Sequence, residues 1–309
     1  MLLDIILIVV GVSFVLYGAD RLTEGASALA RRMNIPEIII GLTIVAAGTS
    51  APELFVSLMS AFKGTPDMAV GNVVGSNTMN AMLIVGCAAM VAPMTISRST
   101  VKKDIPCSVM ASVLLTLLCI DSFLERWDGI ILLVGFSAFM IYTLLQAQKG
   151  QATPQEDMKR KNPWLSTLWV LTGLAMLVVG SNLFVDSASS VASLLGVSEG
   201  VIGLTVVAGG TSLPELATSV VAARKGQSAI AIGNVIGSNV FNILLILGMT
   251  ATISPLQIEG ITTIDMAVML VSVALVWLFS FTRFTVERWE GAVLVLGYIV
   301  YLTWLTSSL

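Results

Sequence analysis

Residues 41–86 read GLTIVAAGTSAPELFVSLMSAFKGTPDMAVGNVVGSNTMNAMLIVG, and residues 203–248 read GLTVVAGGTSLPELATSVVAARKGQSAIAIGNVIGSNVFNILLILG. The two stretches align without a gap at a shift of 162 residues, and 26 of the 46 aligned positions are identical. The same shift places RWDG at 126–129 over RWEG at 288–291. This agreement predicts that the chain contains two copies of one structural unit.

The composition indicates a protein that is dissolved in lipid. Of the 309 residues, 56% are apolar and 11% are charged, whereas about 25% of a soluble globular domain is charged. Apolar runs of about 20 residues, long enough to cross a bilayer, recur along the whole chain, and no hydrophilic stretch is long enough to fold separately. We therefore predict an all-α polytopic membrane protein.

Apolar runs between polar residues predict about ten transmembrane helices. The most polar segment, QKGQATPQEDMKRKN at 148–162, separates five predicted helices from the other five. We expect a first repeat at 1–147, a linker at 148–163 and a second repeat at 164–309. The predicted helices lie near 2–30, 37–62, 67–92, 104–121, 128–147, 164–195, 200–223, 229–253, 263–281 and 290–307.

Each predicted repeat has an odd number of spans, so the second must enter the membrane from the opposite side. The result is a pair of inverted-topology five-helix repeats, an arrangement typical of transporters that work by alternating access. The first and sixth helices are too long for the hydrocarbon core and must tilt, bend or protrude. Their charged residues are expected at the membrane interface: Asp20, Arg21, Glu24 and Asp186.

The distribution of Lys and Arg predicts the orientation, because basic loops stay cytoplasmic. Two basic residues, Lys63 and Arg126, fall on one side of the predicted topology, and thirteen fall on the other. Both termini are therefore expected outside, with the central linker in the cytoplasm. The thirteen are Arg31, Arg32, Arg98, Lys102, Lys103, Lys149, Lys159, Arg160, Lys161, Arg224, Lys225, Arg283 and Arg288.

Several functional classes lack support in the sequence. The chain has no histidine, which removes the commonest ligand of zinc, copper and iron. Its cysteines (Cys87, Cys107 and Cys119) have none of the spacings of a metal site or a disulfide framework. There is no nucleotide-binding loop or catalytic pair. We therefore expect neither an enzyme nor a cofactor, no nucleic-acid partner, and no obligatory protein partner.

Two glutamates are the ionisable residues deep in the apolar runs that are most alike between the halves. Glu53 and Glu215 occupy the same place in their repeats. A carboxylate at bilayer depth costs at least about 3 kcal/mol and by default suggests a functional site. A pair related by the repeat is harder to explain as structural than a single glutamate.

Both glutamates end the motif GTSxPE, at 48–53 and 210–215. Thr49 and Ser50 stand four and three residues before Glu53, so all three are expected to project from one helical face. Proline removes an N–H group and crowds the preceding turn, which predicts a kink that frees a carbonyl near Gly48. Ala46 is then expected to turn its carbonyl inward, and Ala208 to do the same beside Pro214.

A second motif, GNxxGSN, opens the helices that follow, at 71–77 and 233–239. The residues Asn72, Ser76 and Asn80 form one polar stripe at four-residue intervals, repeated as Asn234, Ser238 and Asn242. We interpret these amides and hydroxyls as cation ligands at the repeat interface, and the glycines as close-packing positions. Asn77 and Asn239 point about 100° away from the stripe and are expected to link helices.

Carboxylates, hydroxyls, amides and carbonyls form an all-oxygen site that suits hard cations. Calcium accepts about 6–8 such ligands in flexible geometry, whereas magnesium tends to keep its waters. Sodium is close to calcium in radius and can use the same oxygens. Two fixed negative charges neutralise one calcium or two sodium ions, and a third sodium would leave the loaded site positive. Competition for the two carboxylates predicts exchange, and the leading hypothesis is electrogenic sodium/calcium exchange in which inward sodium drives calcium out.

The duplicated GTSxPE and GNxxGSN motifs resemble those of bacterial calcium/sodium antiporters of the cation/calcium exchanger superfamily, and the resemblance covers the full length. It implies an inner-membrane location and a core of helices 2, 3, 7 and 8, across which helices 1 and 6 slide. Some relatives carry aspartate where this chain has Asn242, which leaves two formal charges here instead of three. The ligands implied are Thr49, Ser50, Glu53, Ser76, Asn80, Thr211, Ser212, Glu215, Ser238 and Asn242, with the carbonyls of Ala46 and Ala208.

Two alternatives to sodium/calcium exchange stay open at this point. A buried glutamate can carry a proton, so a proton/calcium antiporter is the nearest rival, and dependence on the driving ion separates the two. A cation channel is a different class of protein, and saturable counterflow would exclude it. The duplicated broken helices favour a transporter because a channel needs no alternating symmetry.

Overall fold

The computed structural model describes residues 1–149, 163–196 and 208–307, and these are almost entirely helical. Its helices are α1 (Leu2–Met33), α2 (Glu37–Ile40), α3 (Ala46–Thr49), α4 (Ala51–Phe62), α5 (Pro66–Met79), α6 (Val85–Val91), α7 (Ile105–Leu118), α8 (Arg126–Lys149), α9 (Pro163–Leu194), α10 (Ala208–Thr211), α11 (Leu213–Arg224), α12 (Ser228–Val240), α13 (Gly248–Ile253), α14 (Thr263–Ser280) and α15 (Arg288–Ser307).

Within the described residues, seven helices are long and apolar enough to cross a membrane, or eight if the bent pair 37–49 and 51–62 forms one span. Ten spans were predicted, and the two that are not among these eight are those at 104–121 and 200–223. The span predicted at 104–121 is observed as α7 together with the π-helical turn Thr100–Asp104 that runs directly into it, and the charged residues Lys102, Lys103 and Asp104 stand at its start. The span predicted at 200–223 begins outside the described residues, as do residues 150–162 of the predicted linker.

In the described part of the chain, four wide turns of π-helix interrupt the helical segments. They span Gly41–Val45, Asn80–Ile84, Thr100–Asp104 and Phe241–Leu247. The second begins at Asn80 and the fourth contains Asn242, so two predicted ligands lie where the helical backbone is locally widened. Such turns are uncommon and are found frequently at functional sites.

The two segments that carry GNxxGSN form the centre of the molecule. In the continuous span α5–α6, 78% of the apolar window is buried, and in α12–α13 the share is 94%. The corresponding shares for α1 and α9 are 22% and 28%. The motif helices are therefore enclosed by protein, whereas the two longest helices lie at the periphery.

The long helices α1 and α9 pack tightly against each other through glycines. A Cβ atom placed on Gly11 would lie 2.7 Å from the Gly180 carbonyl oxygen, and one on Gly18 would lie 2.8 Å from that of Gly173. Each helix has 32 residues, or about 48 Å at about 1.5 Å per residue. Asn34, with a φ of 54°, ends α1 three residues beyond the predicted boundary.

Among residues 1–149, 163–196 and 208–307, four two-residue strands, which the all-helical prediction lacks, join loops between the halves. The strand β1 (Met94–Thr95) pairs antiparallel with β4 (Thr285–Val286), and β2 (Phe123–Leu124) pairs with β3 (Leu256–Gln257). The 162-residue shift carries β1 onto β3 and β2 onto β4. Met94 pairs with Val286 in the first sheet, and the residues related to them by the same shift, Leu256 and Leu124, pair in the second.

Candidate functional site

The two predicted glutamates are buried, each with 1% of its surface exposed. Glu53 lies in the first turn of α4 and Glu215 in the first turn of α11. The N-terminal end of a helix carries partial positive charge from unpaired N–H groups. Both carboxylates are thus placed where the backbone partly offsets their negative charge.

The helical break that exposes this end lies at Ser50 and not at the proline. The backbone leaves the helical range at Ser50 (φ −83°, ψ 8°), and the two helical pieces meet at 46°. Pro52 then occupies the first turn of α4, where a missing N–H costs nothing. The prediction that Ser50 shares a continuous helical face with Glu53 is therefore wrong, because no continuous helix joins them.

Ser50 reaches the glutamate of the other half instead. Its hydroxyl donates to Glu215 Oε1 at 3.1 Å, and the Ser212 hydroxyl donates to Glu53 Oε1 at 3.2 Å. The Ser212 hydroxyl oxygen also lies 3.2 Å from that of Ser76. The two GTSxPE motifs thus form one cluster in which each serine positions the carboxylate of the opposite half.

Two asparagines of the predicted stripes have structural contacts. Asn234 donates to the Glu215 carbonyl at 3.3 Å and to the Ser219 hydroxyl at 3.0 Å, and its own oxygen accepts a bond of 3.0 Å from Thr49. Asn72 likewise donates to the Glu53 carbonyl at 3.1 Å and to Ser57. Asn234 therefore holds the helices together through both of its N–H groups, and its oxygen, which accepts one bond, keeps one lone pair. The interpretation of the whole stripe as ligands stays a prediction.

The other predicted amides have their oxygen atoms free of hydrogen bonds. Asn80 donates to Asn239 Oδ1 and Asn242 donates to Asn77 Oδ1, both at 3.0 Å. Asn77 also donates to the Asn239 backbone carbonyl at 3.2 Å. The expectation that Asn77 and Asn239 link helices is confirmed. They also fix the amide nitrogens of Asn80 and Asn242, which leaves the amide oxygens facing away from them.

Buried oxygens without a hydrogen-bond partner are concentrated at this cluster. Among the described residues, eleven buried side-chain polar atoms have no partner, and five of them belong to predicted ligands. Orphaned buried acceptors are rare and require an explanation such as an ion. The five are Glu53 Oε2, Glu215 Oε2, Asn80 Oδ1, Asn242 Oδ1 and Ser238 Oγ.

The backbone carbonyls of Ala46 and Ala208 were also predicted to bind the cation. The Ala46 carbonyl is not bare, because it accepts the Ser50 backbone N–H at 2.9 Å. The Thr49 hydroxyl lies 3.4 Å from the same oxygen, so both lone pairs of this carbonyl face a donor, and an ion would have to replace the longer contact. Ala208 opens α10, and residues 197–207 before it lie outside the described part. Thr211 lies in the same short helix and approaches the Glu53 carboxylate.

Three serines that contact this cluster were missed in the sequence. Ser57 and Ser219 accept the Asn72 and Asn234 amides and donate to the carbonyls of Ala69 and Ala231, respectively. They stand 162 residues apart, so the repeat itself marks them. Ser181 of α9 donates to the Gly210 carbonyl at 2.5 Å. This carbonyl is free to accept because Pro214, four residues later, has no N–H group to donate to it. Its equivalent in the first half is Ala19, so the repeat gives no signal for Ser181.

The donor set consists of two carboxylates and several neutral oxygens. No group of three or more His, Cys, Asp or Glu side chains lies together anywhere in the described ranges. Such oxygen-only coordination suits calcium and sodium and disfavours transition metals. The arrangement can bind a hard cation in a protein-lined space.

Comparison with known proteins identifies relatives over the full length. A family model described as "Sodium/calcium exchanger protein" matches twice, at residues 3–145 and 165–307. The "Putative antiporter CaxA" of Alkalimonas amylolytica is 38% identical, and the alignment covers all of both chains. The "Inner membrane protein YrbG" of Escherichia coli is 37% identical over 100% of this chain and 99% of that one.

An archaeal relative and a solved structure agree with these matches. The "Sodium/calcium exchanger MaX1" of Methanosarcina acetivorans is 31% identical over 97% of both chains. The structure of the sodium-calcium exchanger NCX_Mj soaked with 10 mM Na+ and no Ca2+ has a TM-score of 0.86, with 32% identity and 98% coverage of both chains. The chain therefore belongs to the sodium/calcium exchanger protein family.

Proposed function

We propose that the chain is a secondary active antiporter that exchanges sodium for calcium across the membrane by alternating access. The observation that carries this proposal is the set of unpartnered oxygens on Glu53, Glu215, Asn80 and Asn242, all buried at one cluster. Each is an acceptor, so the site is prepared for a cation. Family membership and the names of the relatives support calcium and sodium as that cation.

The charge of the cluster supports exchange over simple binding. Glu53 and Glu215 provide two negative charges, and the other proposed ligands are neutral. One calcium or two sodium ions would neutralise the site, so both cations cannot occupy it fully at once. The remaining proposed ligands are Thr49, Ser50, Ser76, Asn80, Thr211, Ser212, Ser238 and Asn242, with the carbonyls of Ala46 and Ala208.

We propose that two inverted five-helix repeats, 1–147 and 164–309, build this site, with ten spans in all and a linker at 148–163. Paired contacts at a spacing of 162 residues support the repeat. The bond from Ser57 to Ala69 recurs from Ser219 to Ala231, and the two strand pairs are exchanged by the same shift. An odd number of spans per repeat inverts the second copy.

The proposed location is the bacterial inner membrane, with both termini outside and the linker in the cytoplasm. The relative named an inner membrane protein supports the location, and the excess of basic loops supports the orientation. The β1 and β4 loops, which carry Arg98 and Arg283, pair on the side with the basic excess. This agrees with a cytoplasmic position for both loops.

Transport in everted membrane vesicles tests the function. Vesicles loaded with sodium should accumulate calcium, and collapse of the sodium gradient should release it. If exchange is electrogenic, a membrane potential of either sign should change the rate, because a third sodium ion per calcium moves one net charge. Uptake driven by a proton gradient and indifferent to sodium would instead establish the proton antiporter, and unsaturable flux would establish a channel.

Calcium binding by the purified protein tests the site separately. Glu53→Gln and Glu215→Gln should each lower calcium affinity by at least about a hundredfold, since each removes one of two charges that face the ion. Glu290→Gln is the matched control, because Glu290 is fully buried and also has an unpartnered oxygen, but lies on α15 outside the cluster. Wild-type binding by both site variants would show that the ion binds elsewhere.

A further inference from the structure

Arg21 is held between two aromatic rings where α1 packs against α9. Its guanidinium carbon lies 4.7 Å from the centre of the Tyr17 ring and 5.0 Å from that of the Trp169 ring. One guanidinium nitrogen also donates to the Tyr17 hydroxyl. This stacking fixes the plane of the guanidinium, which prepares it for bidentate contact with a phosphate.

A groove of about 330 Å³ opens beside this arginine. Its walls come from α1 and α9, and apolar side chains line most of it. Leu168 is 53% exposed, so the groove opens on the outer surface of the α1–α9 pair. The full lining is Tyr17, Arg21, Leu168, Trp169, Thr172 and Met176. A cationic end with apolar walls fits a molecule that has an anionic head and hydrocarbon chains.

The depth of the groove matches the lipid headgroups of one leaflet. Arg21 stands 19 residues after the start of α1 at Leu2, or about 28 Å along a helix that rises about 1.5 Å per residue. This distance is close to the hydrocarbon thickness of about 30 Å. Tyrosine and tryptophan are also enriched at that level. In the proposed orientation this end of α1 lies in the cytoplasmic leaflet, which is the anionic one.

The other end of the same helix pair has no comparable site. The 162-residue shift places Val179 at the position of Tyr17, Leu183 at that of Arg21 and Leu7 at that of Trp169. The cation and both rings therefore occur in one leaflet alone. Packing of α1 on α9 requires no such asymmetry, because the glycine contacts recur at both ends.

We propose that this groove binds an anionic phospholipid of the cytoplasmic leaflet, with its phosphate on Arg21 and its acyl chains along the apolar wall. The proposal goes beyond sodium/calcium exchange and does not depend on the ions carried. Glu24 lies 3.9 Å from the guanidinium, beyond hydrogen-bond distance. A pair of this kind at a solvent-exposed position is weak, so a phosphate can take the inner position.

Native mass spectrometry of the purified full chain tests the proposal with phosphatidylglycerol as the probe. Wild-type protein should retain one phosphatidylglycerol under conditions that remove phosphatidylcholine, with at least about a fivefold difference in the retained fraction. Arg21→Gln should lose this preference. Arg32→Gln is the matched control, because Arg32 is an exposed arginine near the same end of α1 and does not line the groove.

Other outcomes would overturn the proposal. Equal retention of both lipids by the wild type would show that the groove accepts any acyl chain. Retention by Arg21→Gln equal to wild type would place the lipid elsewhere. Displacement of phosphatidylglycerol by millimolar inorganic phosphate would indicate a site for free anions. If Arg21→Gln does not fold, Trp169→Leu provides the same test, since it removes one wall of the stack and keeps the charge.

Discussion

The Ser50 hydroxyl donates to Glu215 Oε1 at 3.1 Å and so joins a residue of one repeat to the key carboxylate of the other. Both groups are buried. The bond holds one carboxylate oxygen, and the second oxygen has no partner. Because hydrogen bonds to charged groups contribute about 1.5–3 kcal/mol, this contact determines which way the free oxygen points.

Ser50→Ala is therefore expected to lower calcium affinity about tenfold, which corresponds to about 1.4 kcal/mol. Calorimetric titration of purified protein with calcium measures this change. Ser112→Ala is a suitable control, because Ser112 is buried and donates to a carbonyl of its own helix. Unchanged affinity in Ser50→Ala would mean that Glu215 does not need this bond to face the ion.

The asparagine pair yields a second prediction. Asn239 accepts the Asn80 amide at 3.0 Å and so keeps the Asn80 oxygen available to a cation. Without this acceptor the amide can turn its N–H groups toward the ion, which repels them. Asn239→Ala should lower calcium affinity about tenfold although Asn239 is not a proposed ligand. Binding isotherms with Asn182→Ala, an exposed asparagine on α9, provide the comparison.

Asn77→Ala should behave like Asn239→Ala, because Asn77 accepts the Asn242 amide in the same way. Normal calcium affinity in both variants would show that Asn80 and Asn242 are oriented by other contacts. Loss of affinity in one variant alone would instead show that the halves contribute unequally.

The sequence predicted the members of this cluster better than their pairings. The duplicated motifs identify Glu53, Glu215 and the Asn-Ser stripes, because charged and amide groups at membrane depth require a reason. Spacing along one helix cannot show that Ser50 bonds to Glu215, since that contact depends on how two broken helices cross. For the same reason the division of the amides into linking and unpartnered members became visible only in three dimensions.

Fold prediction succeeded where hydrophobic periodicity is strong and failed at local backbone detail. The long apolar runs gave α1 and α9 within three residues at each end. The break at Ser50 was expected at Pro52, because a proline within a predicted helix suggests a kink although it is also well tolerated in a first turn. The short strands were not predicted, because two residues are too few to show the alternation of apolar and polar side chains that marks a strand.

A third prediction concerns the contact between α1 and the end of α11. The Lys225 ammonium lies 2.7 Å from Asp20 Oδ1 and also donates to the Asp20 carbonyl and to the Thr23 hydroxyl. In the other repeat, Asn182 and Val185 stand in place of Asp20 and Thr23. In the proposed orientation this ion pair joins the cytoplasmic ends of α1 and α11, and we expect it to favour a form closed to the cytoplasm.

Lys225→Gln should therefore raise the apparent calcium affinity from the cytoplasmic side about two- to fivefold, since a partly exposed ion pair contributes up to about 1 kcal/mol. This apparent affinity is measured from the initial rates of uptake into everted vesicles at several calcium concentrations. Lys63→Gln, the equivalent exposed lysine, should match wild type. Asp20→Asn combined with Lys225→Gln should add nothing further, and full additivity would argue against direct coupling.

The glycine contacts between α1 and α9 lead to a fourth prediction. A Cβ on Gly18 would lie 2.8 Å from the Gly173 carbonyl oxygen and 3.0 Å from the Leu177 nitrogen, so Gly18→Ala must force the backbones apart. Overpacking of this kind costs about 1–3 kcal/mol and should lower the Tm. The Tm is measured by size-exclusion chromatography of samples that have been heated. Gly135→Ala, with its nearest contact at 3.6 Å, should keep the wild-type Tm.

Since the cluster lies on other helices, Gly18→Ala should still bind calcium, and loss of binding in folded protein would place α1 within the site.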